Sequence, residues 1–287
     1  MIDKAYFGTL DAHQARPWAE VPASRLAAVC GVMTDIDDTL TRDGAIEPAA
    51  LQALNALHAA GLPVVAITGR PLGWSQPFVR AWPVRAIVAE NGAVALIRET
   101  TAAGARIVTE FAQDPVTRQA NAQRLRAAAQ RVLAEVPGTL LAQESAGRVT
   151  DIAIDHSEFT HLAAADIERV LAVMRAEGMN ATVSSIHING WFGSHTKWSA
   201  AQWMAQRLFG RALQPEVGRW VYVGDSTNDQ LMFQHFPLSV GVANLMRFAA
   251  DLRVWPAYIT QGERGAGFAE VAAAVLAARR LPHAMEP

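Results

Sequence analysis

The chain has 287 residues, of which 51% are hydrophobic, and its formal net charge at pH 7 is -2. This length allows one large domain or two moderate ones around a sizeable core. The near-neutral charge and the scattered Lys and Arg residues exclude a polyanion-binding surface, so we expect no nucleic-acid partner. Cys30 is the only cysteine, which excludes an internal disulfide and a thiolate metal cage.

Residues 1–27 carry no clear strand pattern, and we expect an N-terminal extension that lies on the domain. Charged residues interrupt every apolar run in this segment, so we expect no signal peptide. No part of the chain reaches the ~18 uncharged apolar residues that a membrane span requires. The sequence therefore predicts a cytoplasmic protein without a membrane partner, and the single cysteine favours the same location.

Short apolar runs near the two ends of the chain predict buried parallel strands. We expect these strands at residues 28–33, 64–67, 86–89, 220–223 and 238–242. Helices are expected between and after them, at residues 47–60, 75–81, 197–209 and 268–278, and those at 47–60 and 268–278 have apolar residues at helical spacing. This alternation of strands and helices predicts an α/β fold with a parallel sheet.

The pattern changes between residues 98 and 188. Strands are expected at residues 106–111 and 148–155, one or two further strands at residues 181–188, and helices at residues 115–135 and 161–177. Two helices among several strands predict a separate α+β domain, residues 98–188, inserted between the two halves of the parallel-sheet domain, residues 28–97 and 189–287.

Four short motifs place acids, a hydroxyl and an amine in one order along the chain. They are Asp35-Ile36-Asp37-Asp38-Thr39, Thr68-Gly69-Arg70, Lys197 and Gly224-Asp225-Ser226-Thr227-Asn228-Asp229. The first, second and fourth each follow a predicted strand, and such strand ends meet in one crevice of an open α/β sheet. Clustered carboxylates repel one another unless a cation and a lysine neutralise them. This composition predicts a magnesium-assisted phosphoryl-transfer site.

The first two motifs carry the residues expected to react with and hold a phosphate. Asp35 is expected to attack phosphorus and form an aspartyl-phosphate, while Asp37 protonates the leaving oxygen and later activates water. The Thr68 hydroxyl and the neighbouring backbone N–H groups are expected to hold a phosphate oxygen, and Gly69 lets the backbone approach closely. Arg70 is expected either to contact substrate or to brace the loop.

The other two motifs are expected to supply positive charge and metal ligands. Lys197 would pair with the nucleophile Asp35 and with the transferring phosphoryl oxygens. Oxygen-only ligands fit a hard ion such as Mg²⁺, so Asp225 is expected to bind it directly. Asp229 would bind it directly, through water, or act by holding Lys197. Asn228 is expected to fix the loop and is a candidate substrate contact.

These four segments, in this order, resemble the haloacid dehalogenase superfamily of phosphatases. The motif at 35–39 matches its Asp-x-Asp-x-Thr signature, and residues 224–229 match its Gly-Asp-x-x-x-Asp signature. The likeness spans residues 29–275. It implies a Rossmann-like core, Mg²⁺, an aspartate nucleophile, a second aspartate as acid and base, and metal ligation by Asp35 and by the backbone carbonyl of Asp37.

The insert lies between the threonine and lysine motifs, as in members with an α+β type II cap. It is most similar to subclass IIB, which includes sucrose-phosphate, trehalose-phosphate and mannosyl-phosphoglycerate phosphatases. Residues 90–93 and 258–267 add to this likeness, whereas the N-terminal extension departs from it. The resemblance implies that cap residues set specificity, and the candidates are His187, Asn189 and Trp191.

The sequence thus predicts a Mg²⁺-dependent phosphoric monoester hydrolase, a phosphatase acting on a small phosphorylated metabolite such as a sugar phosphate. Dehalogenase members lack the second aspartate, so Asp37 favours phosphate esters. A sugar phosphomutase and a non-catalytic, phospho-accepting receiver or sensor are the alternatives that the sequence leaves open. The substrate and the oligomeric state are open as well.

Overall fold

A computed structural model describes residues 15–101 and 104–280. The chain divides into two compact units, of which the first comprises the residues up to Ala66 and those from Ala205, and the second is Ile67–Met204. No helix within the described ranges is both long and apolar enough to cross a bilayer. The boundaries at residues 98 and 188 stay a prediction.

The described residues form short strands and eight helices. The strands are, in chain order, β1 (Arg16–Pro17), β2 (Gly31–Thr34), β3 (Thr41–Arg42), β4 (Ala45–Ile46), β5 (Val64–Ile67), β6 (Ala86–Ala89), β7 (Val94–Thr101), β8 (Gly104–Phe111), β9 (Leu140–Leu141), β10 (Asp151–Asp155), β11 (Asn180–Val183), β12 (His187–Trp191), β13 (Trp220–Gly224), β14 (Leu238–Gly241) and β15 (Tyr258–Ile259). The helices are α1 (Ala23–Ala27), α2 (Pro48–Ala59), α3 (Leu72–Ala81), α4 (Pro115–Glu135), α5 (Ala164–Ala176), α6 (Lys197–Phe209), α7 (Gln230–His235) and α8 (Arg264–Arg280).

The first unit contains a parallel sheet in the order β1-β15-β14-β13-β2-β5. All residues of β2, β5, β13 and β14 are buried, because a parallel sheet is covered on both faces. The predicted α/β class is therefore confirmed. The strand predicted to begin at residue 28 is β2 and begins at Gly31, because α1 extends to Ala27 and has its C-cap at Ala28.

Helices α2 and α8 pack against each other in this unit. Pro48 is the first residue of α2, where its missing N–H is harmless, and Gly61 follows the helix with a φ of 72°. The expected helix at 47–60 is thus confirmed within one residue at each end. Helix α8 begins earlier than the predicted residue 268, at Arg264.

The N-terminal segment contributes a strand that its sequence does not indicate. Residues 1–14 lie outside the described residues, but Arg16 and Pro17 form β1 and pair in parallel with β15. The guanidinium of Arg16 donates to the hydroxyl of Tyr258 at 2.7 Å and lies 4.7 Å from the centre of its ring. The absence of a clear strand pattern in residues 1–27 did not indicate β1, because a two-residue strand depends on its partner and not on a local pattern.

The second unit contains an antiparallel meander and a four-stranded antiparallel sheet. Strands β6, β7 and β8 follow one another as neighbours, and the other sheet has the order β11-β12-β10-β9. Helices α4 and α5 contribute to a core with this second sheet, including Leu125, Val132, Ile154, Met174 and Ile188. The helix predicted at 115–135 is confirmed, whereas β7 was not predicted.

Candidate active site

Asp35 and Asp225 follow two neighbouring parallel strands at the same edge of the first unit's sheet. Thr34, the last residue of β2, lies opposite Val223 in β13, and the Asp35 N–H donates to the Val223 carbonyl at 2.8 Å. Because the strands run parallel and in this register, the residue after each strand points into the same region. The parallel pairing thus brings together two acids that are 190 positions apart in the sequence.

Asp229 joins these two acids to form a carboxylate cluster. Asp35, Asp225 and Asp229 are all buried, and each offers a carboxylate oxygen within 4.8 Å of the others. Asp229 reaches the cluster because a short 3-10 turn, Thr227–Asp229, follows β13 and is closed by a capping box with Ser226. Three of the predicted metal-binding residues therefore share one buried location.

Local hydrogen bonds fix the orientation of Asp229. Its Oδ2 accepts from the backbone N–H groups of Asp225 at 3.0 Å and Ser226 at 3.2 Å, and its Oδ1 accepts from the Tyr222 hydroxyl at 2.5 Å. Burial and the nearby negative charges, first that of Asp229, raise the pKa of Tyr222 well above its ordinary value, so the hydroxyl stays a donor. Asn228 Oδ1 accepts from the Ser226 hydroxyl at 3.0 Å, and its expected roles in fixing this loop and contacting substrate stay predictions.

The donor set of the carboxylate cluster fits a hard divalent cation. Only carboxylate oxygens make up the group, and Mg²⁺ prefers oxygen ligands, whereas softer metals prefer nitrogen or sulfur. Three buried carboxylates at this separation are stable in the charged form only with a compensating cation. Asp37 is buried too, but its side chain is not a member of this group.

Two residues beside the cluster were not singled out from the sequence. Asn244 Nδ2 donates to the carbonyl of Asp38 at 2.9 Å and lies 3.4 Å from Asp225 Oδ2. Arg264 donates from its backbone to Asn244 Oδ1 at 2.8 Å and from Nε to Asp38 Oδ1 at 2.5 Å. The position of Asn244 just after β14, the next strand in the sheet, is the signal that could have identified it.

In the second unit, the Thr68-Gly69-Arg70 turn has all three of its carbonyl oxygens occupied by hydrogen bonds. The Asn91 N–H donates to Thr68 O at 2.9 Å, and Arg148 Nη1 donates to Gly69 O at 2.9 Å. The Glu90 N–H donates to Arg70 O at 3.0 Å. On the opposite side of the turn, the Arg70 N–H donates to Thr68 Oγ1 at 3.0 Å. Among the described residues, the Gly69 N–H has no acceptor.

Glu90 anchors this turn through its side chain. Its carboxylate accepts from the backbone N–H groups of Leu72 at 3.0 Å, Val149 at 3.1 Å and Thr150 at 2.6 Å, and also from the Thr150 hydroxyl. Glu90 is fully buried and has a φ of 50°, a backbone conformation that is uncommon in a residue other than glycine. The predicted strand at 148–155 begins only at Asp151, because Val149 and Thr150 bond to Glu90.

Arg70 is part of an ionic network. Its guanidinium donates to Glu144 at 3.2 Å and to Glu158 at 2.9 Å, and the second oxygen of Glu158 lies 2.8 Å from Nε2 of His187. Burial alone would raise the pKa of Glu158, but the hydrogen bond with His187 and the charge of Arg70 lower it to about 2. These contacts hold Arg70 in place, and the expectations that it contacts substrate or braces the loop both stay predictions.

The remaining cap candidates are buried as well. Asn189 Nδ2 donates to Asp151 at 3.2 Å and lies 3.5 Å from Gly69 O, and the Trp191 indole N–H donates to the His195 carbonyl at 3.0 Å. Burial raises the pKa of Asp151 to about 7, against the lowering effect of Arg148. Substrate contacts by His187, Asn189 and Trp191 stay predictions.

Lys197 is the first residue of α6 and is 4% exposed. An amine at a helix start is ordinarily solvated, since the helix dipole is unfavourable to a cation there. Its burial distinguishes it from a surface lysine. The role of Lys197 in the reaction stays a prediction.

The sequence model of a family described as haloacid dehalogenase-like hydrolase matches residues 32–120. This stretch contains the Asp35 and Thr68 motifs. The resemblance to the haloacid dehalogenase superfamily is confirmed. The predicted enzyme class agrees with this match as far as a hydrolase of this type. No curated protein matches the chain.

Solved structures with the same fold include phosphatases of this superfamily. Protein 0175 of Thermoplasma acidophilum has a TM-score of 0.63 at 15% identity, over 86% of this chain and 98% of that one. The sucrose-phosphatase of Synechocystis sp. PCC6803, solved with sucrose and phosphate, has a TM-score of 0.60 at 15% identity, over 85% and 96%. The subclass IIB sugar phosphatase BT4131 has a TM-score of 0.54 at 15% identity, over 85% and 96%. The predicted fold, a Rossmann-like core with an inserted α+β cap domain, is confirmed.

Proposed function

We propose that the protein is a Mg²⁺-dependent phosphatase that hydrolyses a small phosphorylated metabolite, a sugar phosphate, through an aspartyl-phosphate. The observation that carries this proposal is the buried cluster of Asp35, Asp225 and Asp229 at the ends of neighbouring parallel strands. Buried carboxylates at this spacing need a cation, and oxygen-only ligands select Mg²⁺.

Asp35, Asp225 and Asp229, together with the backbone carbonyl of Asp37, would hold the ion. Bound there, Mg²⁺ supplies positive charge to the carboxylates and to the phosphoryl oxygens. The hydrogen bonds from Tyr222 and from two backbone N–H groups support this assignment, since ligands are oriented by the groups behind them.

The two acids of the first motif would divide the chemistry. A carboxylate oxygen of Asp35 attacks phosphorus and forms the acyl phosphate, while the bond from phosphorus to the ester oxygen breaks and Asp37 protonates that oxygen. Asp37, now a carboxylate, takes a proton from water, which attacks phosphorus and releases inorganic phosphate and Asp35. Lys197 would stabilise the negative charge on the transferring group.

The turn at Thr68 has the geometry expected of a phosphate-binding element. Because a trans peptide directs its C=O and N–H in opposite directions, the bond from Asn91 N to Thr68 O directs the Gly69 N–H to the other side of the turn. This N–H and the Thr68 hydroxyl are the donors we assign to a phosphate oxygen.

A sugar phosphate as substrate rests on resemblance. Among the structures with this fold are a sucrose-phosphatase and a subclass IIB sugar phosphatase. A location in the cytoplasm stays a prediction from the single cysteine.

The proposal is tested with a panel of sugar phosphates, measuring released phosphate with Mg²⁺, with EDTA and after Mg²⁺ is restored. Asp35→Asn should abolish turnover, and Asp37→Asn should slow it by about a hundredfold or more. Asp43→Asn is the matched control, because Asp43 is exposed and its φ of 51° suits Asn equally. Phosphate release by Asp35→Asn at the parent's rate, or insensitivity to EDTA, would refute the proposal. Isomerised product without free phosphate would identify a mutase instead.

A further inference from the structure

Arg148 has a buried side chain that forms hydrogen bonds with the Thr68-Gly69-Arg70 turn and with Asp151. Its side chain is 2% exposed, and Nη1 lies 2.9 Å from Asp151 Oδ1 and 2.8 Å from Oδ2. The same nitrogen donates to Gly69 O at 2.9 Å. Asn189 is the other side chain near this oxygen, at the limiting distance of 3.5 Å. The contact is not predictable from a local pattern, because Arg148 and Gly69 are separated by 79 positions.

The bond to Gly69 O controls the peptide that joins Gly69 to Arg70. In a trans peptide the C=O and N–H groups point in opposite directions. Fixing Gly69 O against Arg148 therefore directs the Arg70 N–H towards Thr68 Oγ1, which it reaches at 3.0 Å. A hydroxyl oxygen that accepts this bond donates its proton elsewhere.

The Thr68 hydroxyl proton has no acceptor among the residues that the structure describes. Thr68 is fully buried, and Arg70 N is the one described partner of its Oγ1. The bond from Arg70 restricts the rotation of the hydroxyl, so the direction of its proton depends on the orientation of the peptide. A preorganised donor of this kind is what an anionic ligand requires.

We propose that Arg148 is a positioning residue for phosphate binding: through the Gly69–Arg70 peptide it sets the direction in which Thr68 donates its hydroxyl proton to a phosphoryl oxygen. The inference rests on the proposed function, because Thr68 is the assigned phosphate donor. Under this proposal, a residue of the segment predicted as the inserted domain contributes to phosphate binding, independently of any contact with the rest of the substrate.

The test measures the dissociation constant of inorganic phosphate by isothermal titration calorimetry at a fixed Mg²⁺ concentration. The proteins compared are the parent, Arg148→Met, Thr68→Val and the double variant. A hydrogen bond to a charged group corresponds to a loss of about tenfold in affinity or more, so each single variant should weaken binding by at least that factor. If Arg148 acts through Thr68, the double variant should bind no more weakly than Thr68→Val alone.

Arg131→Met is the matched control. Arg131 also forms ion pairs, with Glu135 and Glu177 at 2.6 Å, but at the surface of the second unit and without contact to the turn. Its affinity for phosphate should equal that of the parent. A general effect of removing an ion-paired arginine would appear in this variant too, and would overturn the assignment.

Arg148→Met leaves the buried acid Asp151 without its guanidinium, which destabilises the fold. If this variant unfolds, the comparison uses Arg148→Met combined with Asp151→Asn, in which the buried group is neutral. Circular dichroism and the melting temperature establish that each variant is folded.

The outcomes separate the inference from the proposed function. Additive losses in the double variant, or unchanged affinity in Arg148→Met while Thr68→Val is weakened, would overturn the inference alone. Unchanged affinity in Thr68→Val would remove Thr68 as a phosphate donor and with it this part of the proposed function. A parent protein that binds no phosphate with Mg²⁺ would refute both.

Discussion

Gly224 is the position at which one methyl group should disturb the carboxylate cluster most directly. It is the last residue of β13, and a Cβ added there would lie 2.5 Å from both Cγ and Oδ2 of Asp229. The Asp229 side chain has little freedom to move, because Tyr222, Asp225 and Ser226 all donate to it. Gly224→Ala should therefore displace the carboxylate and break at least one of these bonds.

The expected cost has two parts. Overpacking of a buried site costs about 1–3 kcal/mol. A lost hydrogen bond to a charged group adds about 1.5–3 kcal/mol. A combined loss of about 2.5–6 kcal/mol should lower the melting temperature by about 5–24 °C in a chain of this size. Since Asp229 is a proposed metal ligand, the dissociation constant for Mg²⁺ should also rise by about 10- to 100-fold.

Differential scanning calorimetry and a Mg²⁺ titration followed by calorimetry measure the two effects. Gly218→Ala is the matched control, because a Cβ at Gly218 has no atom within 4 Å. Its melting temperature should change by no more than about 2 °C. Parental stability and parental Mg²⁺ affinity in Gly224→Ala would refute the reasoning, as would an equal effect of the control.

Three further substitutions test other parts of the structure. Burial lowers the pKa of His195 to about 4, so its contribution to stability is complete above pH 6.5 and is lost as the pH falls towards 4; His195→Phe should flatten the stability curve in that interval. The pKa of Glu158 is about 2, so its contribution to stability is complete above pH 4.5 and is lost as the pH falls towards 2. Glu158→Gln should therefore flatten the dependence of stability on pH between 4.5 and 2. Urea midpoints across the pH range check both, and a curve parallel to the parent's would contradict either one. A Cβ at Gly31 would lie 2.3 Å from the Trp220 ring, so Gly31→Ala should destabilise the fold by about 1–3 kcal/mol or more. The affinity for Mg²⁺ should be unchanged, because Gly31 is the first residue of β2 and Asp35 follows the other end of that strand. Lower Mg²⁺ affinity in the folded variant would contradict this expectation.

The elements with strong local patterns could be predicted from the sequence. The helix at 115–135 and the strands at 64–67 and 86–89 agree with α4, β5 and β6. Their amphipathic faces, caps and fully buried apolar runs are properties of neighbouring residues. Strands β1 and β15 were not predicted, because each has only two residues and is stabilised by its partner.

Some residues of the candidate site could be predicted from the sequence and others could not. Asp35 and Asp225 of the carboxylate cluster were predicted to lie close together because each follows an apolar strand, and strand ends converge in a parallel sheet. Asn244 and Arg264 were missed because their contacts to Asp225 and Asp38 follow from where turns place them.

The order and type of the chemical groups, and the strands that carry them, are written in the sequence, because local residue patterns encode secondary structure and reactive residue types encode chemistry. Which side chains meet was decided by tertiary structure alone. Arg148 contacts Gly69 across 79 positions, and no local pattern records a hydrogen bond that exists only once distant segments have packed together.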